Sequence, residues 1–146
     1  MTERMQPTEA VRGAGRRRRE LFDAITTVER AISAPAADPR WRSEVAREFA
    51  ELGEAFSDHV DEVERPGGLF DEILDEAPRL DPQINWFKDD HRRLGARIRE
   101  LAGRVEREDP SIMRDLVADL IHDLVRHRQR GADLVYEAYS VDLGGW

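Results

Sequence analysis

The sequence predicts an all-α protein folded as an up-down-up-down four-helix bundle. Hydrophobic residues make up 40% of the chain and charged residues 37%, a balance that suits amphipathic helices with broad polar faces. Apolar residues recur three and four positions apart in four segments, whereas runs of alternating β-branched and aromatic residues are absent. Each such helix must bury its apolar face against a neighbour, and mostly short connections favour an antiparallel bundle.

The first helix is predicted from about Arg16, and residues 1–15 are expected to form a disordered basic segment. That segment contains Pro7, Gly13 and Gly15 and lacks a periodic apolar pattern. Residues 16–146 are then the bundle. The arginine-rich start of the chain is read as a flexible basic tail, and an arm that binds nucleic acid or a partner is the alternative.

The other three helices are each predicted to begin at an Asp-Pro pair, because aspartate caps a helix and proline suits its first turn. These pairs are Asp38-Pro39, Asp81-Pro82 and Asp109-Pro110. Arg65–Gly68 ends the second helix, and residues 69–77 can form a short helix before the third. The residues predicted to face the core are Leu21, Ile25, Val28, Ile32; Val45, Phe49, Leu52, Phe56, His59, Val63; Ile84, Phe87, His91, Leu94, Ile98, Leu101, Val105; and Met113, Val117, Leu120, Leu124, His127, Gly131, Leu134, Ala138.

Composition excludes several classes of function. The net charge of −8 argues against binding of a nucleic-acid backbone by the whole domain. No apolar stretch approaches the roughly 20 residues that span a bilayer, so no membrane partner is expected and a cytoplasmic location is the default. The chain has no cysteine and lacks a glycine-rich phosphate loop, a nucleophile elbow and a zinc-protease motif. A standard hydrolytic enzyme is therefore not supported.

Three histidines on different helices are predicted to share one layer of the core. His91 lies 17 residues before Glu108, where the third helix is taken to end, and His127 lies 17 residues after Pro110. In antiparallel helices that rise about 1.5 Å per residue, both are equally far from the shared loop. His59 and the arginines at 16–19 fall at a similar level. Imidazole is a common ligand of iron, zinc and copper, so the layer is a candidate metal site, whereas His122 is expected to face solvent.

The placement of these histidines resembles the hemerythrin-like (HHE cation-binding) domain family. The stretch from His127 to Gly145 is similar to the fourth-helix motif of that family, residues 59–70 to the second, and Asp90-His91 with Leu94 to the third. The resemblance covers roughly residues 17–145. It implies a four-helix bundle with a non-haem di-iron centre, held by about five histidines and two bridging carboxylates, that binds or senses oxygen.

The sequence departs from the family pattern at the remaining ligand positions. Val63 and Gly131 stand where the resemblance implies carboxylates, and Phe87 stands one turn before His91. The first-helix histidine has no counterpart, because the inward stripe runs back into Arg17 and Arg18. Bridging carboxylates offset the repulsion between two cations about 3.5 to 4 Å apart. An intact di-iron centre is therefore not expected.

The leading hypothesis is a hemerythrin-like protein that binds at most one iron or zinc ion for oxygen, redox or metal sensing. His59, His91 and His127 are the predicted ligands, and Glu62, three residues after His59, is the candidate carboxylate. The alternative is a metal-free regulatory or scaffolding bundle, a homodimer or the binder of a protein partner, with an arginine from 17 or 18 paired to Glu62 in the core. A mononuclear oxygen-using enzyme is the third hypothesis. No catalytic residue is assigned.

Overall fold

The computed structural model describes residues 7–139. Four long helices, α1 (Glu9–Ser33), α2 (Trp41–Glu64), α4 (Asp81–Ala102) and α5 (Pro110–Tyr139), are joined by turns. A short helix, α3 (Leu69–Glu76), and one 3-10 turn (Pro78–Leu80) lie between α2 and α4. No strand is present in the described part of the chain. The predicted all-α fold is confirmed.

Helix α1 begins earlier than the sequence predicted. Thr8 is its N-cap, and the Thr8 hydroxyl accepts a hydrogen bond from the backbone N–H of Val11 at 3.2 Å. Residues 9–15 are therefore helical, and the expectation of disorder is wrong for them; residues 1–6 lie outside the described part. Glycine is a poor helix former, so Gly13 and Gly15 argue against a helix here, yet both are buried within α1. A Cβ atom added at Gly13 would lie 2.7 Å from Glu62 Oε1, so glycine permits the close packing of α1 and α2 at that position.

Two of the Asp-Pro pairs mark helix starts to within one residue. Helix α5 begins at Pro110, where Asp109 accepts a hydrogen bond from the N–H of Ser111 at 2.8 Å. Helix α4 begins at Asp81. Helix α2 begins three residues after Asp38, whose carboxylate caps the turn before it by accepting from the N–H of Arg40 at 2.9 Å.

The turn between α2 and α3 requires glycine at one position. Gly67 has a φ of 74°, in the left-handed region that glycine adopts without steric cost. The predicted stop at residues 65–68 is confirmed, since α2 ends at Glu64 and α3 begins at Leu69. This turn brings α3 against both α1 and α5.

The long helices form a closed ring in which α1 contacts α2 and α5, and α4 contacts α2 and α5. Hydrogen bonds tie the connections at one end. Arg42, on α2, donates to the carbonyl oxygens of Val105 and Glu108, and Arg114, on α5, donates to those of Ile32 and Ala34. These contacts hold the neighbouring long helices antiparallel.

The opposite end is closed by α3. The Glu72 carboxylate accepts from the hydroxyls of Thr8, at 2.5 Å, and Tyr139, at 2.7 Å. It therefore joins the first turn of α1 to the last turn of α5. No described helix combines the length and the apolar character that crossing a bilayer requires.

The interior comprises two apolar clusters with a polar layer between them. The larger cluster extends from Leu21 to Leu124 and includes Trp41, Phe49 and Leu120; the smaller one contains Val11, Ile73 and Leu134, and lies against α3. All predicted core residues are buried except Gly131 and Ala138, which are half-buried. The polar residues buried between the clusters are Arg18, His59, Asp90, His91 and His127.

Candidate metal centre

The structure brings the three predicted histidines together. His59, His91 and His127 are 6%, 4% and 6% exposed, on α2, α4 and α5 respectively. One ligand nitrogen from each ring lies within 4.8 Å of the others. Two nitrogens bound to one ion at about 2.1 Å each are at most about 4.2 Å apart. Small side-chain shifts would therefore bring all three rings onto one ion.

The imidazoles of His91 and His127 face each other through their Nε2 atoms, which are 3.1 Å apart. His91 Nδ1 lies 2.5 Å from Glu64 Oε2, and His127 Nδ1 lies 2.7 Å from Asp90 Oδ2. A carboxylate can only accept in such a bond, so it places the proton on Nδ1 and leaves a lone pair on Nε2. The two lone pairs then point at each other, an arrangement that a shared cation between them would stabilise.

His59 differs from the other two rings. Neither of its ring nitrogens has a hydrogen-bond partner among residues 7–139, and its ring lies 5.2 Å from that of His91 and 5.7 Å from that of His127. A buried polar group without a partner costs free energy. The orphaned nitrogens fit a metal ion, which would satisfy one of them.

Burial keeps the imidazoles of His59 and His91 neutral. Desolvation, with smaller effects of neighbouring charges, lowers the pKa of His59 to about 3 and the pKa of His91 to about 2. Neutral imidazole is the form that binds a metal, so protons do not compete for these nitrogens near pH 7.

Asp90 supplies negative charge beside the layer. Burial raises the pKa of Asp90, but hydrogen bonds from His127 and Arg93 outweigh this effect, and the net shift is downward. Asp90 is therefore ionised while it is 4% exposed. Burial raises the pKa of Glu64, and the charges of Lys88 and Arg92 oppose that shift.

Sequence reasoning missed the roles of these two carboxylates. Both fall within the motifs that resemble the family, Asp90 in the third helix and Glu64 in the second, but the sequence assigns neither a role at the site. The available signal was weak: Asp90 precedes an inward-facing histidine, and Glu64 ends α2 one residue after the inward-facing Val63. Carboxylates that accept from the second ring nitrogen orient metal-binding histidines.

The predicted fourth ligand, Glu62, lies outside the three-histidine group. Its carboxylate accepts from Arg65 Nε at 2.8 Å and lies against Gly13 of α1. Arg17 does not pair with it but with Glu20, at 3.1 Å, and Asp58, at 3.6 Å.

Arg18 is the arginine that reaches the layer. It is 7% exposed, and burial lowers its pKa to about 10. Its charge also contributes to the lowered pKa of His59. Arg18 therefore adds positive charge on the α1 side of the layer, where the family resemblance would place a further histidine, and this charge disfavours a second cation.

A cavity of about 20 Å³ adjoins the three histidines, roughly the space of one water molecule. Its walls include three of the positions where the sequence departs from the family pattern, Val63, Phe87 and Gly131. Leu69, Phe70, Leu134 and Val135 complete the wall. An apolar surface thus stands where the family resemblance implies the carboxylates of a di-metal centre.

Aromatic rings hold the imidazoles in place. Phe70 of α3 stacks on His91, with centroids 5.9 Å apart and planes at 7°. Phe87 meets His127 edge to face at 5.4 Å, and Phe56 lies beneath all three rings at 6.0 to 6.5 Å. Such contacts restrict ring rotation. His122, by contrast, is exposed on α5 as predicted.

Comparison with known proteins agrees with this site. No curated protein and no solved structure is significantly similar to the chain. The family model of the hemerythrin HHE cation-binding domain matches residues 7–139, which includes every residue of the layer. The chain belongs to the hemerythrin HHE cation-binding domain family.

Proposed function

We propose that this protein binds one transition metal ion, iron or zinc, through His59, His91 and His127, and that it acts as a metal-dependent sensor or binding module. The observation that supports this most is the pair of Nε2 atoms 3.1 Å apart, each on a ring whose Nδ1 faces a carboxylate. Three nitrogen ligands with an open position are typical of sites that bind a small exogenous ligand. An iron ion held there would supply redox and small-ligand chemistry.

The size of the cavity favours sensing over catalysis on an organic substrate. About 20 Å³ beside the histidines accommodates a molecule the size of water or dioxygen. The apolar wall excludes charged ligands, because removing a charge from water into such a site is costly. Phe70 and Phe87 line this cavity, and a larger ligand would have to displace side chains of its wall.

The chain's own residues set the properties of the site. Glu64 and Asp90 hold the rings of His91 and His127 with Nε2 directed inward. Their negative charges also offset the charge of a divalent ion, whereas Arg18 limits the site to one ion. Glu62, already bonded to Arg65, is not part of the ligand set that we propose.

Metal quantification on purified protein tests the proposal. Protein reconstituted anaerobically with Fe²⁺, and separately with Zn²⁺, is expected to hold about one equivalent. His59→Ala, His91→Ala and His127→Ala should each lose the ion. His122→Ala is the matched control, since it removes an exposed histidine from α5, and Glu62→Gln should also retain the metal. Less than a tenth of an equivalent in the wild-type protein would contradict the proposal.

The metal-free regulatory or scaffolding bundle is the second candidate, favoured by the buried charge of Arg18 beside His59. It predicts that the three histidine variants change stability while the metal content stays at zero throughout. A bound metal lost in those variants would refute it. The cytoplasmic location, a homodimer and a protein partner remain predictions.

A further inference from the structure

A groove between α2 and α4 opens beside the metal centre. Its volume is about 610 Å³, within the usual range for small-molecule sites. Gly53 of α2 and Gly95 of α4 both line it. A Cβ atom added at Gly95 would lie 3.4 Å from Arg99 Nη1 and 3.6 Å from Phe56 Cε1, so the missing side chain leaves space between the Arg99 guanidinium and the Phe56 ring.

The floor of the groove is apolar and its two ends carry charge. Phe56, Val60 and Ile98 line the floor. Glu64 lines one end of the groove. Because α2 and α4 are antiparallel, Arg99 comes from the part of α4 toward the other end, and its guanidinium lies beside Gly95, with Nη1 3.4 Å from the position of a Cβ atom there. Arg99 forms no ion pair with any residue between Pro7 and Tyr139, whereas Arg92, near Glu64, pairs with Asp89.

The groove and the metal cavity share one residue, His91, which lines both. Glu64, at the groove's end, lies 2.5 Å from His91 Nδ1 through its Oε2 atom. Its side chain is 25% exposed, so one carboxylate connects solvent in the groove to a proposed metal ligand. An occupant of the groove would therefore alter the surroundings of the Glu64–His91 pair.

We propose that this groove binds a small organic anion, a monocarboxylate with an unbranched apolar chain. The carboxylate lies on Arg99, whose planar guanidinium suits two parallel hydrogen bonds. The hydrocarbon chain of the ligand covers Phe56 and Val60 and points toward His91. The negative charge of Glu64 repels the head group and fixes this orientation. The binding is independent of a metal; its effect on the metal rests on the proposed function.

Isothermal titration calorimetry of the metal-free protein with butanoate, hexanoate and octanoate tests the binding. Affinity is expected to rise about fourfold per buried methylene. 1-Hexanol and hexylammonium, which lack the carboxylate, should bind at least tenfold more weakly than hexanoate. A flat series, or equal binding of hexylammonium, would overturn the proposal.

Two variants locate the ligand. Arg99→Ala should weaken octanoate binding about tenfold, because it removes a charge-assisted hydrogen bond. Gly95→Leu should abolish binding because the new side chain fills the groove and displaces the Arg99 guanidinium beside it. Leucine favours a helix over glycine, so circular dichroism should show an intact fold. Arg30→Ala, an exposed arginine on α1, is the control. Undiminished binding in both groove variants would place the ligand elsewhere and refute the assignment.

Loading the protein with Co²⁺ tests the effect on the metal. Octanoate is expected to perturb the visible absorption of bound Co²⁺, and its own affinity should change at least threefold on loading. By reciprocity the affinity for Co²⁺ changes by the same factor. Bound Co²⁺ with an unchanged octanoate affinity would overturn the coupling. A failure to bind Co²⁺ would instead contradict the proposed function, and the metal-free titrations would still decide the groove.

Discussion

The two ends of the bundle use the same helices for different purposes. At the end near the α4–α5 turn, Trp41, Phe49 and Leu120 pack in a cluster of aliphatic and aromatic side chains, in which Trp41 Nε1 has no hydrogen-bond partner among residues 7–139. Toward the other end, the inward stripes of α2, α4 and α5 each carry a histidine, and α3 covers the layer. Helical periodicity thus decides which positions are buried. The residue at each position decides whether its burial stabilises the fold or supplies a candidate metal ligand.

The energetics of the two regions differ accordingly. Apolar packing stabilises in proportion to the area removed from water, and the larger cluster has no buried histidine. In the histidine layer, hydrogen bonds to Glu64 and Asp90 offset the cost of burying the rings of His91 and His127. The buried ring of His59 has no such partner among residues 7–139. We therefore expect the apolar end to dominate the free energy of unfolding and the layer to dominate metal affinity.

The largest effect on stability is expected from Phe49→Ala. Phe49 is 1% exposed in the apolar cluster, and removing such a ring costs about 3 to 5 kcal/mol in lost burial and a residual cavity. Urea denaturation monitored by circular dichroism measures it. The folded fraction should still bind a full equivalent of metal, and a selective loss of metal would contradict the separation of the two regions.

His59→Leu is expected to act in opposite directions on stability and binding. It replaces a buried ring with two unpartnered nitrogens by an apolar side chain, which should stabilise the metal-free protein by about 1 to 3 kcal/mol. Metal binding should be lost at the same time. Thermal unfolding in the presence of a chelator gives the first quantity, and titration with Zn²⁺ gives the second. Destabilisation of the metal-free protein would show that His59 has a structural role.

Asp90→Asn is expected to weaken metal binding without unfolding the chain. The amide keeps the volume of the side chain but removes the charge that orients His127, and loss of such a partner costs about 10- to 100-fold in affinity. Competition with a chromogenic chelator measures the change. Asp115→Asn, on the exposed face of α5, should bind metal as the wild type does. An equal loss in both variants would indicate a nonspecific charge effect.

Thr8→Ala is expected to have the smallest effect, about 1 kcal/mol from loss of a helix cap. Thr8 also donates to Glu72 of α3, so its loss should loosen the end of the bundle that covers the layer. Chemical denaturation measures the change, and metal stoichiometry should remain at one. No change in stability would argue against the early start of α1.

Much of the fold was predictable because the spacing of apolar residues that marks a helix lies within one segment of the chain. The stripes of α2 and α4 identify His59 and His91 as buried through spacing alone, and Asp109-Pro110 identifies the start of α5. The start of α1 was not predictable in the same way. Gly13 and Gly15 lower helix propensity locally, and only their burial in the assembled bundle shows why the helix tolerates them.

The candidate site was predictable in part. Three histidines at one level follow from helix rise and loop position. The partners Glu64 and Asp90 did not follow, because each bonds a histidine on another helix. Glu62 looked closer to His59 along the chain, yet its carboxylate turns to Arg65. Spacing within one helix identifies a shared face but not which side chain reaches across to a neighbour.

The sequence by itself determined the all-α class, the four inward stripes and the histidines they carry, because a repeat of 3.6 residues is a local property of the chain. The tertiary structure decided which ring nitrogens meet, which carboxylates hold them and how little space remains beside them. Those features depend on the rotation and separation of packed helices to within about an ångström. Residues far apart in the chain set that geometry together, and no single segment encodes it.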